Sequence, residues 1–201
     1  MTLMRIEFDQ KKADEALRFL QGAPKKARVA LVRALNASAM SARTEIVRSA
    51  RERFNVQSSR VRSTIHVFKA SAATDAPSAQ VSSKDTRQPL TRFKFSPKGP
   101  KSWIGVPNTR RGPVVSVSVK QGRSTKFRHS FLARFRSGHL GLVYRARGKF
   151  TRNGRPKLEE NYGPAVPQMI GGPSGAEAVA DAAVKKFDAE LERQVDLMLK
   201  G

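Results

Sequence analysis

The sequence predicts an α+β protein: a long N-terminal helix, a central antiparallel β-sheet or small barrel with extended basic loops, and a C-terminal amphipathic helix. Three observations carry this. Residues 25–54 contain no Gly or Pro and place small and apolar residues at spacings of three and four. Residues 64–170 hold several short stretches of two-residue alternation between Gly- and Pro-rich breaks. Residues 174–200 return to helical spacing. A single domain, 1–201, is expected, with a helical N-terminal region (1–63), a strand-rich basic region (64–170) and a C-terminal helix (174–200).

The elements follow in order. Residues 9 or 10 to 20 read as a short helix ended by Gly22 and Pro24. Pro24 then suits the first turn of a second helix, because it lacks an N–H that has no partner there anyway. In that helix Ala27, Leu31, Leu35, Ser38, Ala42, Ile46 and Ala50 form one stripe. Small residues beside it, Ala30, Ala34, Ala37 and Ser41, permit close packing, and Arg28, Arg33, Arg43, Arg48 and Arg51 lie largely off it. About thirty helical residues span on the order of 45 Å. Ser58 and Ser59 can cap a brief helix at 60–63. Residues 64–69 alternate like a strand, 79–82 read as another, and 90–95 alternate with Arg92 and Lys94 opposite Phe93 and Phe95. Residues 97–113 form a long loop rich in Pro, Gly, Lys and Arg. Residues 114–120 are the clearest strand, with Val115, Val117 and Val119 on one face. Further strand signals lie at 126–129, 131–135 (strand or short turn) and 140–147. Residues 150–157 read as a basic hairpin turn with Asn153-Gly154 at its tip. The last helix opens with a Ser174/Glu177 capping box and shows an apolar stripe at Val179, Ala183, Phe187, Leu191, Val195 and Met198.

Charge is the strongest functional signal. The chain holds 39 Lys and Arg against 16 Asp and Glu, a formal net charge of +23. Residues 84–157 contain twenty basic residues and one acidic residue, Asp85. The two ends of the chain are near neutral or slightly acidic. A solvated face normally mixes both signs, so this stretch points to a polyanion or an acidic partner. The residues expected to make that contact are Arg92, Lys94, Lys98, Lys101, Arg110, Arg111, Arg123, Lys126, Arg128, Arg145, Arg147, Lys149, Arg152 and Arg155. Contacts to phosphates without sequence reading are expected, since no helix-turn-helix, zinc-finger or RNA-recognition signature is present. Phe93, Phe95, Phe127, Phe131, Phe135, Tyr144 and Phe150 interleave with these cations. That mixing suits base stacking, but the simpler reading makes them the buried faces of amphipathic strands.

No catalytic constellation is expected. The chain has no Cys, which excludes disulfides, Cys-ligated zinc and a Cys nucleophile. The histidines are His66, His129 and His139, and the stretch around the last two offers no carboxylate but Asp85 for metal or acid–base work. Glu159-Glu160 reads as a salt-bridge partner for nearby Arg rather than a catalytic pair. No phosphate-cradling loop with a following Lys-Ser/Thr occurs. The N-terminus lacks the apolar run of a signal peptide, and no stretch approaches the ~18 apolar residues of a membrane span. Neither an enzyme activity, a cofactor, a metal, a membrane nor a small-molecule substrate is therefore expected.

A set of local motifs adds to this. They are Pro113-Val114-Val115-Ser116-Val117, then Phe131-Leu132-Ala133, then Ser137-Gly138-His139 with Gly141 and Val143. Most specific is Pro156 and Leu158-Glu159-Glu160 followed by Tyr162-Gly163-Pro164-Ala165-Val166-Pro167-Gln168-Met169. With the Ala/Arg helix at 25–53, these resemble the phage minor tail protein Z family, tail-completion proteins of lambda-like tailed phages. The resemblance implies a virion component at the head-proximal end of the tail that joins it to a filled head. It implies a hexameric ring of copies around the DNA path. Its neighbours would be tail terminator, tail tube or connector proteins of the neck and the phage DNA backbone, with assembly in the host cytoplasm. It supplies no catalytic residue. Within the motif Pro164 and Pro167 are expected to set an extended path toward the last helix, and Tyr162, Gly163, Val166, Gln168 and Met169 to serve packing or subunit contact. The alternative is a free, sequence-nonspecific nucleic-acid-binding protein.

Overall fold

A computed structural model of the chain describes residues 2–7, 24–74, 77–98, 114–171 and 173–199. The short helix expected between residues 9 and 20 and most of the loop 97–113 lie outside the described residues. The chain divides into two compact units: Met1–Ala50, Ser58–Asp85 and Val166–Gly201 form the first, Arg51–Gln57 and Thr86–Ala165 the second. Among the described residues the architecture is α+β, with a long N-terminal helix, three small open antiparallel sheets of three strands each and a C-terminal helix.

In the first unit, β1 (Thr2–Glu7), β2 (Ile65–Phe68) and β3 (Gln80–Asp85) pair antiparallel with β3 central. Helix α1 (Pro24–Arg53) begins at Pro24, and α2 (Ser58–Ser63) leads into β2. A short α3 (Val166–Ile170) lies against β1 and β3 and precedes α4 (Pro173–Leu199). All seven stripe residues of α1, from Ala27 to Ala50, are buried. An uninterrupted helix with small residues every three or four positions has one face that can be covered closely, and that face is covered. Ser38 lies within the buried line and its hydroxyl donates to the Ala183 carbonyl of α4. Asn36 pairs twice with Ala70: its amide donates to the Ala70 carbonyl at 3.2 Å and its oxygen accepts the Ala70 N–H at 2.8 Å. The segment leaving β2 is thereby tied to α1. On β3, Val81, Ser83 and Asp85 point inward. Thr64 meets Ser83 at 3.3 Å, and Arg60 pairs with Asp85 at 2.8 Å.

Helix α4 departs from the expected stripe in its second half. Val179, Ala183 and Phe187 are buried, but the line continues through Glu190 and Gln194, while Leu191 and Val195 are half-buried. A stripe stepped by four drifts about 40° per step around a helix of 3.6 residues per turn, and a step of seven corrects it. Positions 190 and 194 are seven beyond 183 and 187. The helix also starts at Pro173, so Ser174 lies inside its first turn rather than before it.

In the second unit, β4 (Lys94–Ser96), β5 (Val115–Ser118) and β6 (Thr125–Phe127) form one sheet. The other contains β7 (Ser130–Arg134), β8 (Leu140–Phe150) and β9 (Pro156–Glu160). The stretch 90–95 is not a continuous strand. Leu90–Arg92 forms a 3₁₀ turn, with the Arg92 N–H on the Pro89 carbonyl and the Phe93 N–H on the Leu90 carbonyl. The polarity split survives this: Phe93 is buried, and Arg92 and Lys94 are exposed. The path at 164–170 is likewise not extended throughout, because Val166–Ile170 is helical, with Pro167 in the first turn, where proline costs no hydrogen bond. Val166, Pro167 and Met169 are buried there and Gln168 is exposed.

Candidate nucleic-acid interface

The second unit concentrates the charge. Its two segments hold 21 Lys and Arg against Glu52, Glu159 and Glu160. The β4–β5–β6 register places Lys94 opposite Ser118, and Ser116 opposite both Ser96 and Lys126. Residues directly opposite each other share a face, as do residues two apart in a strand. Lys94 and Lys126 therefore stand on one polar face lined by Ser96, Ser116 and Ser118. The other face carries Phe95, Val115, Val117 and Phe127, of which the two valines are buried. Lys98, Arg123 and Arg128 are exposed on the adjoining segments. Lys101, Arg110 and Arg111 lie outside the described residues.

The β8–β9 hairpin is the second cationic surface. Its base is packed: Phe131, Leu132 and Ala133 on β7 and Leu142 and Val143 on β8 are buried. From residue 147 to residue 158 every residue is exposed. This arm contains Arg147, Lys149, Arg152, Arg155 and Lys157 and no acidic residue. The ladder between β8 and β9 is irregular between Arg145 and Phe150, then resumes with Phe150 opposite Pro156. The turn is closed by hydrogen bonds from the Thr151 N–H to the Arg155 carbonyl at 2.8 Å and from the Gly154 N–H to the Thr151 carbonyl at 3.0 Å. Gly154 has φ of 69°. This is a three-residue hairpin loop whose left-handed position takes glycine without strain, so the expected Asn153-Gly154 tip is present.

The cations are not equivalent. The Arg145 guanidinium stacks over Phe131, 5.1 Å from the ring centroid. Lys149 pairs with Glu159 at 2.7 Å, and Tyr144 donates to the same carboxylate at 2.7 Å. The Lys149 bond, then the Tyr144 bond, hold the Glu159 carboxyl below its usual range; the same contact raises the Tyr144 and Lys149 values. Among the described residues no carboxylate pairs with Arg147, Arg152 or Arg155.

Glu159 and Glu160 do not form a carboxylate pair, and among the described residues their partners are Lys149, Tyr144, His139 and Tyr162 rather than an arginine. Neighbours in a strand face opposite ways: Glu159 lies opposite Tyr144, and Glu160 opposite Val143. Glu160 meets His139 Nε2 at 2.7 Å and accepts from the Tyr162 hydroxyl at 2.9 Å, which raises the Tyr162 value. His139 also stacks on Phe135. Among the described residues no three His, Asp or Glu side chains gather as a metal-binding group, and no helix is long and apolar enough to cross a membrane.

The motif residues 161–163 run beside Gln88–Leu90. The Leu90 N–H donates to the Asn161 carbonyl at 3.2 Å and the Gly163 N–H to the Gln88 carbonyl at 2.7 Å, and Pro89 bridges Tyr162. The seven interleaved aromatics sort by depth. Phe93 and Phe131 are buried, Phe95, Phe127 and Tyr144 half-buried, and Phe135 and Phe150 exposed. Phe150, 64% exposed, and Lys157 were not separable from their neighbours in the sequence; strand pairing of β9 is what sets them apart. No protein-family model, no curated protein and no solved structure matches this chain.

Proposed function

We propose that the chain is a non-enzymatic structural protein of a tailed-phage particle, acting in tail completion and head–tail joining as a ring around the DNA path. The observation that carries this reading is the exposed, carboxylate-free arm 147–158, together with the Lys94/Lys126 face, in a unit with three acidic residues in all. Such a surface repels copies of itself and gains most when it meets phosphates or acidic faces of neighbouring proteins. The resemblance of residues 156–169 to the minor tail protein Z family supplies the setting. A ring built from subunits of this charge assembles most readily where an anion is already present, so its assembly on that anion is expected to weaken at high salt, while screening also relieves the repulsion between copies.

Electron microscopy of purified particles from cells that make the chain tests this. A stoichiometric ring at the neck is expected, and absence of the chain from particles overturns the reading. The exposed Phe150 favours a second reading, a free sequence-nonspecific nucleic-acid-binding protein. DNA binding retained by a chain absent from particles would select it.

A further inference from the structure

We propose that the hairpin arm 147–158 binds single-stranded nucleic acid, with Phe150 as the platform for an unpaired base and Arg147, Arg152 and Arg155 on the phosphates. The proposal rests on the reading above that this basic surface meets a polyanion, and names which one.

Three features of the arm point to it. Phe150 is the most exposed large hydrophobic side chain among the described residues, and it stands in a segment whose charged residues are all cations. An exposed ring leaves apolar surface in water, which a flat base covers. Second, three arginines of the arm have no carboxylate partner among the described residues, whereas Lys149 and Arg145 are engaged with Glu159 and Phe131. Their charge is therefore free to meet phosphates. Third, the arm is ordered by its own bonds. Thr151 and Arg155 are joined backbone to backbone, and the Thr151 hydroxyl bonds the Arg155 carbonyl at 3.1 Å and its N–H at 3.2 Å. Arg152 and Arg155 thus belong to one closed turn, and Phe150 stands in the strand pair that leads into it, opposite Pro156, so little backbone ordering entropy is lost on binding.

The combination discriminates between polyanions. An acidic protein face offers carboxylates to the arginines, but a flat face to the ring only where it happens to expose an aromatic side chain. A duplex offers phosphates, but its bases are stacked on one another. A single strand offers both phosphates and a free π-face, without any need for sequence reading.

The test measures binding of the full chain to a fluorescent oligo(dT) strand, to a duplex of equal length and to heparin. Phe150→Ala is expected to weaken single-strand binding about fivefold or more and to leave duplex and heparin binding unchanged. Phe150→Trp, which keeps a stacking face, is expected to retain single-strand affinity. The exposed position makes both variants neutral to folding, which circular dichroism checks. No loss with Phe150→Ala, or an equal loss for duplex, overturns the inference and leaves the virion reading standing. Heparin binding without binding of either oligonucleotide also overturns it.

Discussion

The ring of Phe93 fills the space beside Gly163 that any other side chain would need. A Cβ at position 163 would lie 2.7 Å from Phe93 Cε2 and 3.1 Å from Cζ. Gly163 also donates its N–H to the Gln88 carbonyl, so the backbone cannot retreat from the ring without losing that bond. The glycine of the Tyr-Gly-Pro run is thus required by close approach. Gly163→Ala is expected to destabilise the protein by about 1–3 kcal/mol, the cost of overpacking. Combining it with Phe93→Leu should recover part of that loss. Urea unfolding of the two single variants and the double variant measures the coupling, and strict additivity would contradict the account.

Asn36 holds Ala70 through both ends of its side-chain amide, the NH2 donating and the oxygen accepting. Asn36→Ala leaves a backbone donor and acceptor without their partner. A loss of about 1–2 kcal/mol is expected, with faster hydrogen exchange at the Ala70 amide. Exchange unchanged at Ala70 would show that the pairing does not hold the segment.

Glu190 is buried on α4 and bonded by Arg193 and Gln194, and Gln194 in turn accepts from Arg33 at 3.2 Å. The Arg193 bond first, and Gln194 second, bring its pKa down from 4.5 to about 2. A carboxyl whose folded value is depressed contributes stability above its unfolded value, and that contribution is lost as pH falls through the folded one. The contribution is therefore complete above about pH 4.5 and gone near pH 2. Arg193 is largely exposed, so Glu190→Gln is expected to cost about 1 kcal/mol at pH 7 and much less near pH 2. Urea titrations at the two pH values check this.

Neutralising Arg147, Arg152 and Arg155 to Gln should make the slope of log affinity against log salt for duplex DNA shallower by about 2–3 units, if each meets one phosphate. Melting temperature should hold, since these side chains pair with no carboxylate among the described residues. Lys149→Gln should act differently, because it also releases Glu159. Anisotropy titrations across a salt series give both slopes, and an unchanged slope for the triple variant removes the arm from the interface.

The sequence by itself determined the fold class, the buried face of α1, the turn at Asn153-Gly154 and the excess of cations in the middle of the chain. Each is a local property: helical spacing without Gly or Pro, a turn-forming dipeptide, or a count of charges. Tertiary structure decided the rest. β1 and β9 are strands through their partners β3 and β8, and Pro156–Glu160 carries no apolar alternation that would announce it. Phe131 and Phe150 sit alike among arginines in the sequence, yet one is buried at the base of a sheet and the other stands at its exposed end. Glu190 is buried because a step of seven along a helix returns to the packed side. Periodicity reports how a segment's own backbone repeats, whereas depth and pairing depend on which distant residues are brought beside it.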